Sequence, residues 1–213
     1  MTTQGEEDLA ARIDAATALR ALGHAIIAHD IDVEQLESIT SSAERLLAEV
    51  EESGTRTHAF RRVGSFAMPE PAGKGEKPTH LFQDSIVSGS ANPLGMNATL
   101  WQEDGQAVMK VTLGPAHEGA PGRAHGGLVA ALIDETMGLV LGIIRTPAFT
   151  GRLTVTYRAP TPLGVELTGT ARVIEQRGRK ITMAAEVRAG DELIAEGDGL
   201  FISVDPEHFV ASK

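Results

Sequence analysis

Cysteine is absent from all 213 residues. That removes disulfides, thiolate metal sites and a cysteine nucleophile from consideration, and it suits a reducing, cytoplasmic location. An excess of positive charge is also absent. The net charge is −10, and residues 1–54 alone carry 12 acidic and 3 basic side chains. Nucleic-acid binding requires a basic surface, so no nucleic-acid partner is expected. The N-terminal stretch from Met1 to Asp8 is acidic and lacks the apolar segment of a secretory signal. The chain contains no Gly-x-Ser-x-Gly elbow, no Gly-x-Gly-x-x-Gly fingerprint and no His-Glu-x-x-His pair. The corresponding hydrolase, dinucleotide-binding and zinc-protease chemistries find no support. The 7 histidines are scattered, and no metal or cofactor is expected.

What the chain does have is a long apolar run opened by His125-Gly126-Gly127. From Leu128 to Leu141 it reads as a helix that is apolar all round and therefore buried on every side. Asp134 sits inside it, followed by Glu135. Burying a carboxylate costs several kcal/mol unless something offsets it, so Asp134 is expected to serve chemistry. The run is close to the lower limit of a membrane span, ~17 residues, and two acids interrupt it. A core helix is expected, with no membrane insertion.

The N-terminal region carries two apolar stripes at helical spacing. The first comprises Leu9, Ile13, Ala16, Leu19, Leu22 and Ile26, and the second runs from Val33 to Val50. Asp32 followed by Gln35 resembles a capping box at the start of the second helix. Residues 1–54 are thus expected to form a helical hairpin that packs on the main domain or on another subunit. Residues 55–80 are rich in Gly and Pro and read as a linker, in which Gly73 to Pro78 is expected to be exposed and mobile. From residue 81 the pattern becomes strand-like. Segments at 98–102 and 107–113 flank an Asp104-Gly105 hairpin turn. After the apolar helix come strands at 152–158, 166–176, 180–188 and 193–204, expected as a four-strand meander. A helix apolar all round needs a curved antiparallel sheet to wrap it, which makes residues 81–205 an α+β domain. Residues 206–213 form a tail.

Four segments carry a family resemblance. Gly119-Ala120-Pro121-Gly122-Arg123-Ala124-His125-Gly126-Gly127, with Asp134 nine residues after the histidine, resembles the signature of hotdog-fold acyl-CoA thioesterases. Gly89 to Met96, Thr150 to Pro160 and Gly178-Arg179-Lys180 are similar to flanking segments of the same family. The resemblance covers roughly residues 85–205 and leaves the helical hairpin outside it. It implies a hotdog fold, hydrolysis of acyl-CoA to a free acid and coenzyme A, and a homodimer or dimer of dimers with sites at the subunit interface. Coenzyme A would then be part of the substrate rather than a cofactor. Many members carry Asn or Gln six residues before the histidine to polarise the thioester. This chain has Gly119 there, so backbone donors must suffice.

The residues themselves suggest roles. Gly126 and Gly127 open a helix, whose first turn has free N–H groups and partial positive charge. Such groups can stabilise the oxyanion formed when a thioester is attacked, and the resemblance makes Gly126 the main donor. Asp134 is the candidate nucleophile or general base; Glu135, turned ~100° away on the helix, is expected to be solvated or salt-bridged and stands in reserve. His125 is expected to hold the loop by hydrogen bonds. Nine residues of helix correspond to ~900° and ~13 Å, so His125 and Asp134 point to roughly opposite sides. A site using both ends of this segment should be shared between two subunits. By resemblance, Thr150 positions the acid or a water, and Arg158, Arg179 and Lys180 contact coenzyme A, with Thr156 on the strand face of Arg158. Phe82, Trp101, Met137 and Phe149 are candidates for shaping the acyl pocket. Two rival functions are a non-catalytic acyl-CoA sensor, favoured by Gly119, and a hotdog hydratase or dehydratase.

Overall fold

The computed structural model describes residues 3–56, 70–76 and 82–205. Much of the expected linker and the whole 206–213 tail lie outside these residues. Two helices come first, α1 (Thr3–Ala28) and α2 (Val33–Glu51). They are followed by β1 (Thr99–Glu103), β2 (Gln106–Thr112), a 3-10 turn (Pro115–His117), α3 (Gly126–Ile143), β3 (Ala148–Tyr157), β4 (Glu166–Arg177), β5 (Lys180–Ala189) and β6 (Glu192–Ser203).

The strands form one antiparallel sheet in the order β1-β2-β4-β5-β6-β3. Asp104 and Gly105 both have positive φ, 51° and 75°, as a two-residue hairpin turn between β1 and β2 requires. The expected four-strand meander is a three-strand one. β4 is already flanked by β2 and β5, so β3 crosses to the free side of β6. That leaves β3 as an edge strand, with Phe149 and Tyr157 more than half exposed.

α3 packs against the same face of the sheet along its length and touches all six strands. Val129, Leu132, Ile133, Met137 and Val140 are buried on its sheet side, each contributing roughly 1.5–3 kcal/mol by leaving water. Glycines let it sit this close. A Cβ at Gly197 would lie 2.5 Å from Ile133 Cγ2, and one at Gly199 2.5 Å from the Met137 sulfur. The helix is not buried on every side, however. A single sheet covers one side only, and Gly127, Ala130, Ala131, Asp134 and Gly138 keep partial or full exposure. Among the described residues α3 is long and apolar enough to cross a membrane, and its seat beneath the sheet makes it the core helix.

The N-terminal helices form where the apolar spacing places them, and Asp32 caps α2 by accepting the Gln35 N–H at 2.8 Å. They do not pack along each other, and no residue of α2 is buried. α1 docks instead on the 3-10 turn and on the loop before β1. Its docked face runs through Leu9, Ile13, Ala16, Arg20 and His24, whereas Leu19 and Leu22 of the expected stripe are exposed. Arg20 donates to the carbonyls of Ser90 and Asn92 at 3.1 and 2.6 Å. His24 Nδ1 accepts the Ala116 N–H at 3.1 Å, and its ring meets that of His117 edge-on with centroids 4.8 Å apart. Gly114 is glycine because a Cβ would lie 2.8 Å from the His24 ring. The segment at 71–73 is likewise not loose. Gln102 donates its N–H to Ala72 O at 2.8 Å and its side-chain amide to Pro71 O at 2.9 Å, so residues 71–73 cover the free edge of β1. Lys77 and Pro78 of that expected loop lie outside the described residues.

Burial pushes the His117 imidazole below its ordinary range, and the charge of His24 pushes it the same way. An unfolded histidine titrates near about 6.5. The folded state therefore binds fewer protons below that pH. Stability is full above it and is lost as pH falls through the lowered folded value. The expected outcome is faster amide hydrogen exchange in α1 at about pH 5 than at about pH 7.5, after correction for intrinsic rates. Equal protection at both pH values would contradict it.

Candidate active site

The loop entering α3 is folded tightly on itself. Gly119 N–H donates to Arg123 O at 2.9 Å, and His125 N–H donates to His117 O at 2.9 Å. A Cβ at Gly119 would lie only 2.7 Å from His125 Cα. This is the physical reason that no amide side chain stands there, because backbone rather than a flexible tip occupies the space.

His125 is the N-cap of α3, with extended backbone at φ −66° and ψ 131°. Its Nδ1 accepts the Gly127 N–H at 2.9 Å, which satisfies one of the free donors of the first turn. His125 thus holds the loop. Gly127, expected as an oxyanion donor, already has its N–H engaged by that ring and cannot serve in this arrangement. The peptide N–H of Gly126 is the first-turn donor left for a ligand. The Gly126 carbonyl accepts from Tyr157 Oη at 2.8 Å. Beside it a cavity of about 340 Å³ is lined by Arg123, Gly126, Tyr157, Arg158 and Pro160, among others.

Asp134 lies two turns along α3 and is half-buried. Thr150 at the start of β3 donates its hydroxyl to Asp134 Oδ1 at 2.8 Å. Glu135, expected to be solvated or ion-paired, is instead half-buried under the loop before β1. Ser85 donates to its Oε1 at 2.9 Å, and Ser88 donates to the same oxygen. Sequence spacing could not reveal these serines, which lie 50 and 47 residues away in the chain.

The remaining expected residues divide between the two ends of the sheet. Thr156 and Arg158 line a second cavity of about 340 Å³ on the sheet face away from α3, with Arg172, Glu186 and Asp198. Arg158 Nε donates to Glu196 at 2.6 Å. Arg179 and Lys180 stand at the opposite end, where Lys180 pairs with Ile202 and Ile202 pairs with Phe149. Arg179 Nε donates to Ser203 O at 3.0 Å. One protomer therefore joins Asp134 with Thr150, and Gly126 with His125 and Tyr157, but does not join the two groups. Of the apolar candidates, Met137 is core and Phe149 is exposed. Among the described residues no cluster of three or more His, Asp or Glu could hold a metal.

A family model described as "Thioesterase superfamily" matches residues 121–196. The chain is 37% identical over 159 residues to Acyl-coenzyme A thioesterase THEM4 of Xenopus laevis, covering 72% of each chain. It is 32% identical over 168 residues to the Rattus norvegicus protein of the same name, covering 70% of this chain and 71% of the relative. Among solved structures, it superposes on a crystallised thioesterase superfamily protein with a TM-score of 0.74 at 26% identity, covering 90% of both chains. That match extends beyond residues 85–205.

The tight loop yields a test. Gly119→Asn installs the amide expected at this position from the family resemblance, but forces its Cβ against His125. Overpacking of this kind costs about 1–3 kcal/mol, or a Tm lower by roughly 3–10 °C for a chain of this size. The variant should melt earlier and hydrolyse thioesters more slowly than the parent. A faster enzyme of unchanged Tm would refute the steric account.

Proposed function

The chain belongs to the thioesterase superfamily and is a thioester hydrolase, and from that premise we propose that it hydrolyses acyl-coenzyme A at a site shared by two subunits. The observation that carries the reading is the Asp134–Thr150 pair: a half-buried carboxylate on an apolar helix, oriented by a hydroxyl from an exposed edge strand. Thr150 donates to one carboxylate oxygen and leaves the other free. Its own oxygen can still accept a hydrogen bond, so a water can rest between the hydroxyl and the free oxygen.

In this reading Asp134 takes a proton from that water as it attacks the thioester carbon. The carbonyl oxygen becomes an oxyanion and needs a donor already in place. Gly126 N–H of the partner subunit supplies it, reinforced by the positive end of the α3 dipole. Collapse of the tetrahedral species breaks the C–S bond, and the departing thiolate takes the proton back from Asp134, which releases the free acid and coenzyme A thiol.

Sharing follows from the layout. Among the described strands β3 pairs on one side only, with β6, and α3 beside it leaves Ala130, Ala131, Asp134 and Gly138 partly exposed. Such an edge calls for a cover, and an isologous two-fold pairing of β3 with a second β3 provides one. Antiparallel pairing brings the Thr150 end of one strand to the Tyr157 end of the other. Asp134 then faces Gly126 of the partner subunit. The same operation brings Arg179 and Lys180 toward Arg158 of the partner subunit, so the cations that one protomer keeps apart converge on one coenzyme A. The rival reading of a non-catalytic sensor drew on Gly119, and the contact with His125 Cα gives that glycine a steric reason.

Asp134→Asn should lower kcat at least ~10²-fold across a panel of acyl-CoAs, with Tm little changed. Full activity in that variant, or acyl-CoA that binds to the parent and stays intact over hours, would refute the assignment. A single turnover in ¹⁸O-water with enzyme in excess separates the two carboxylate roles. Label in the released acid is expected for the base, whereas unlabelled acid with label in Asp134 would make it the nucleophile.

A further inference from the structure

β3 sends two hydroxyls to α3, one to each end of the site. Thr150 reaches Asp134, and Tyr157 reaches the Gly126 carbonyl. In an unbroken strand, residues seven apart point to opposite faces. The register against β6 resolves this. Thr150 pairs with Phe201 and Arg152 with Leu200, so Gly151 is one extra residue, a bulge. Beyond it Tyr157 pairs with Ala195. Phe201 and Ala195 are both buried on the α3 side, and their partners Thr150 and Tyr157 share that side.

At the other end of the tyrosine, the peptide between Gly126 and Gly127 is held twice. Its carbonyl accepts from Tyr157, and its N–H donates to His125 Nδ1. The carbonyl of His125 accepts the Leu128 N–H at 3.0 Å. The Gly126 N–H belongs to that His125–Gly126 peptide, and the peptide held by Tyr157 and His125 adjoins it directly. The tyrosine ring also rests on Gly126, where a Cβ would lie 3.3 Å from its Cζ and Oη. Any other residue at 126 would press on the ring that makes this bond.

We infer that Tyr157 is a positioning residue: its hydroxyl fixes the Gly126–Gly127 peptide, which adjoins the peptide carrying the Gly126 N–H, and so sets the geometry of the oxyanion donor. The inference rests on the reading of Gly126 as that donor. Donors accelerate reaction only when aimed beforehand at the developing charge, and a misplacement of about 1 Å can cost about 10²-fold. His125 still holds the peptide when the phenol is gone, so the loss from Tyr157 alone is smaller.

Tyr157→Phe keeps the ring and removes one oxygen. The expected result is a kcat lower by about tenfold with KM within about twofold, because ground-state contacts are kept. In protein labelled with ¹⁵N-glycine and free of substrate, the Gly126 and Gly127 amide resonances should move. An unchanged kcat in an active enzyme, or a reduced kcat with both resonances unmoved, overturns the inference. The amide readout needs no substrate. If neither parent nor variant hydrolyses any acyl-CoA, the functional reading fails while the clamp is still judged by the resonances. If the parent is active and the variant is its equal, the clamp fails and the functional reading stands.

Discussion

The one-sided seating of α3 is the constraint on which the rest of the structure depends. Ile133 and Met137 press into the places that side chains at Gly197 and Gly199 would fill, so the helix cannot rotate without clashing with the sheet. Close packing at the density of protein interiors makes such a fit sensitive to single methylenes. With the rotation fixed, Asp134 falls on the open side, one residue after the buried Ile133. A carboxylate there avoids the cost of full burial and still stands beside apolar neighbours.

The same seating fixes the start of the helix, where little is left to the helix itself. His125 caps it, Tyr157 holds the first carbonyl, and His117 anchors the preceding peptide. α1 extends this support outward. His24 engages the 3-10 turn that carries His117, and Arg20 grips Ser90 and Asn92 in the loop whose Ser85 and Ser88 bind Glu135. One helix outside the sheet thereby braces the loops at both ends of the candidate site. α2 contributes nothing comparable within the protomer, and its apolar stripe, including Val33, Leu46, Leu47 and Val50, faces solvent.

The strand count, the core helix and the Asp104-Gly105 turn were legible because each rests on local periodicity or turn chemistry. The hydrogen bond of Thr150 to Asp134 was reachable through resemblance, and the loop-holding bond of His125 through its place at the helix start. What could not be read depends on contacts between distant segments. Glu135 looked like a surface acid because its serine partners are far away in the chain. Arg20 and His24 lie outside the apolar stripe of the first helix, yet they belong to the docked face of α1. Gly127 looked like a free donor because a cap by the preceding histidine ring is a matter of rotamer and backbone angle.

By itself the sequence determined the alternation of elements, the apolar helix interrupted by Asp134 and Glu135 and the glycine pair that opens it, since these follow from side-chain periodicity over a few residues. The tertiary structure alone decided that β3 lies at the sheet edge, that the bulge at Gly151 turns Thr150 and Tyr157 to the same side, and that Tyr157 holds the Gly126 carbonyl. The reason is physical: strand order, face and donor occupancy are set by which groups are already paired, and that is known only when the whole chain has folded.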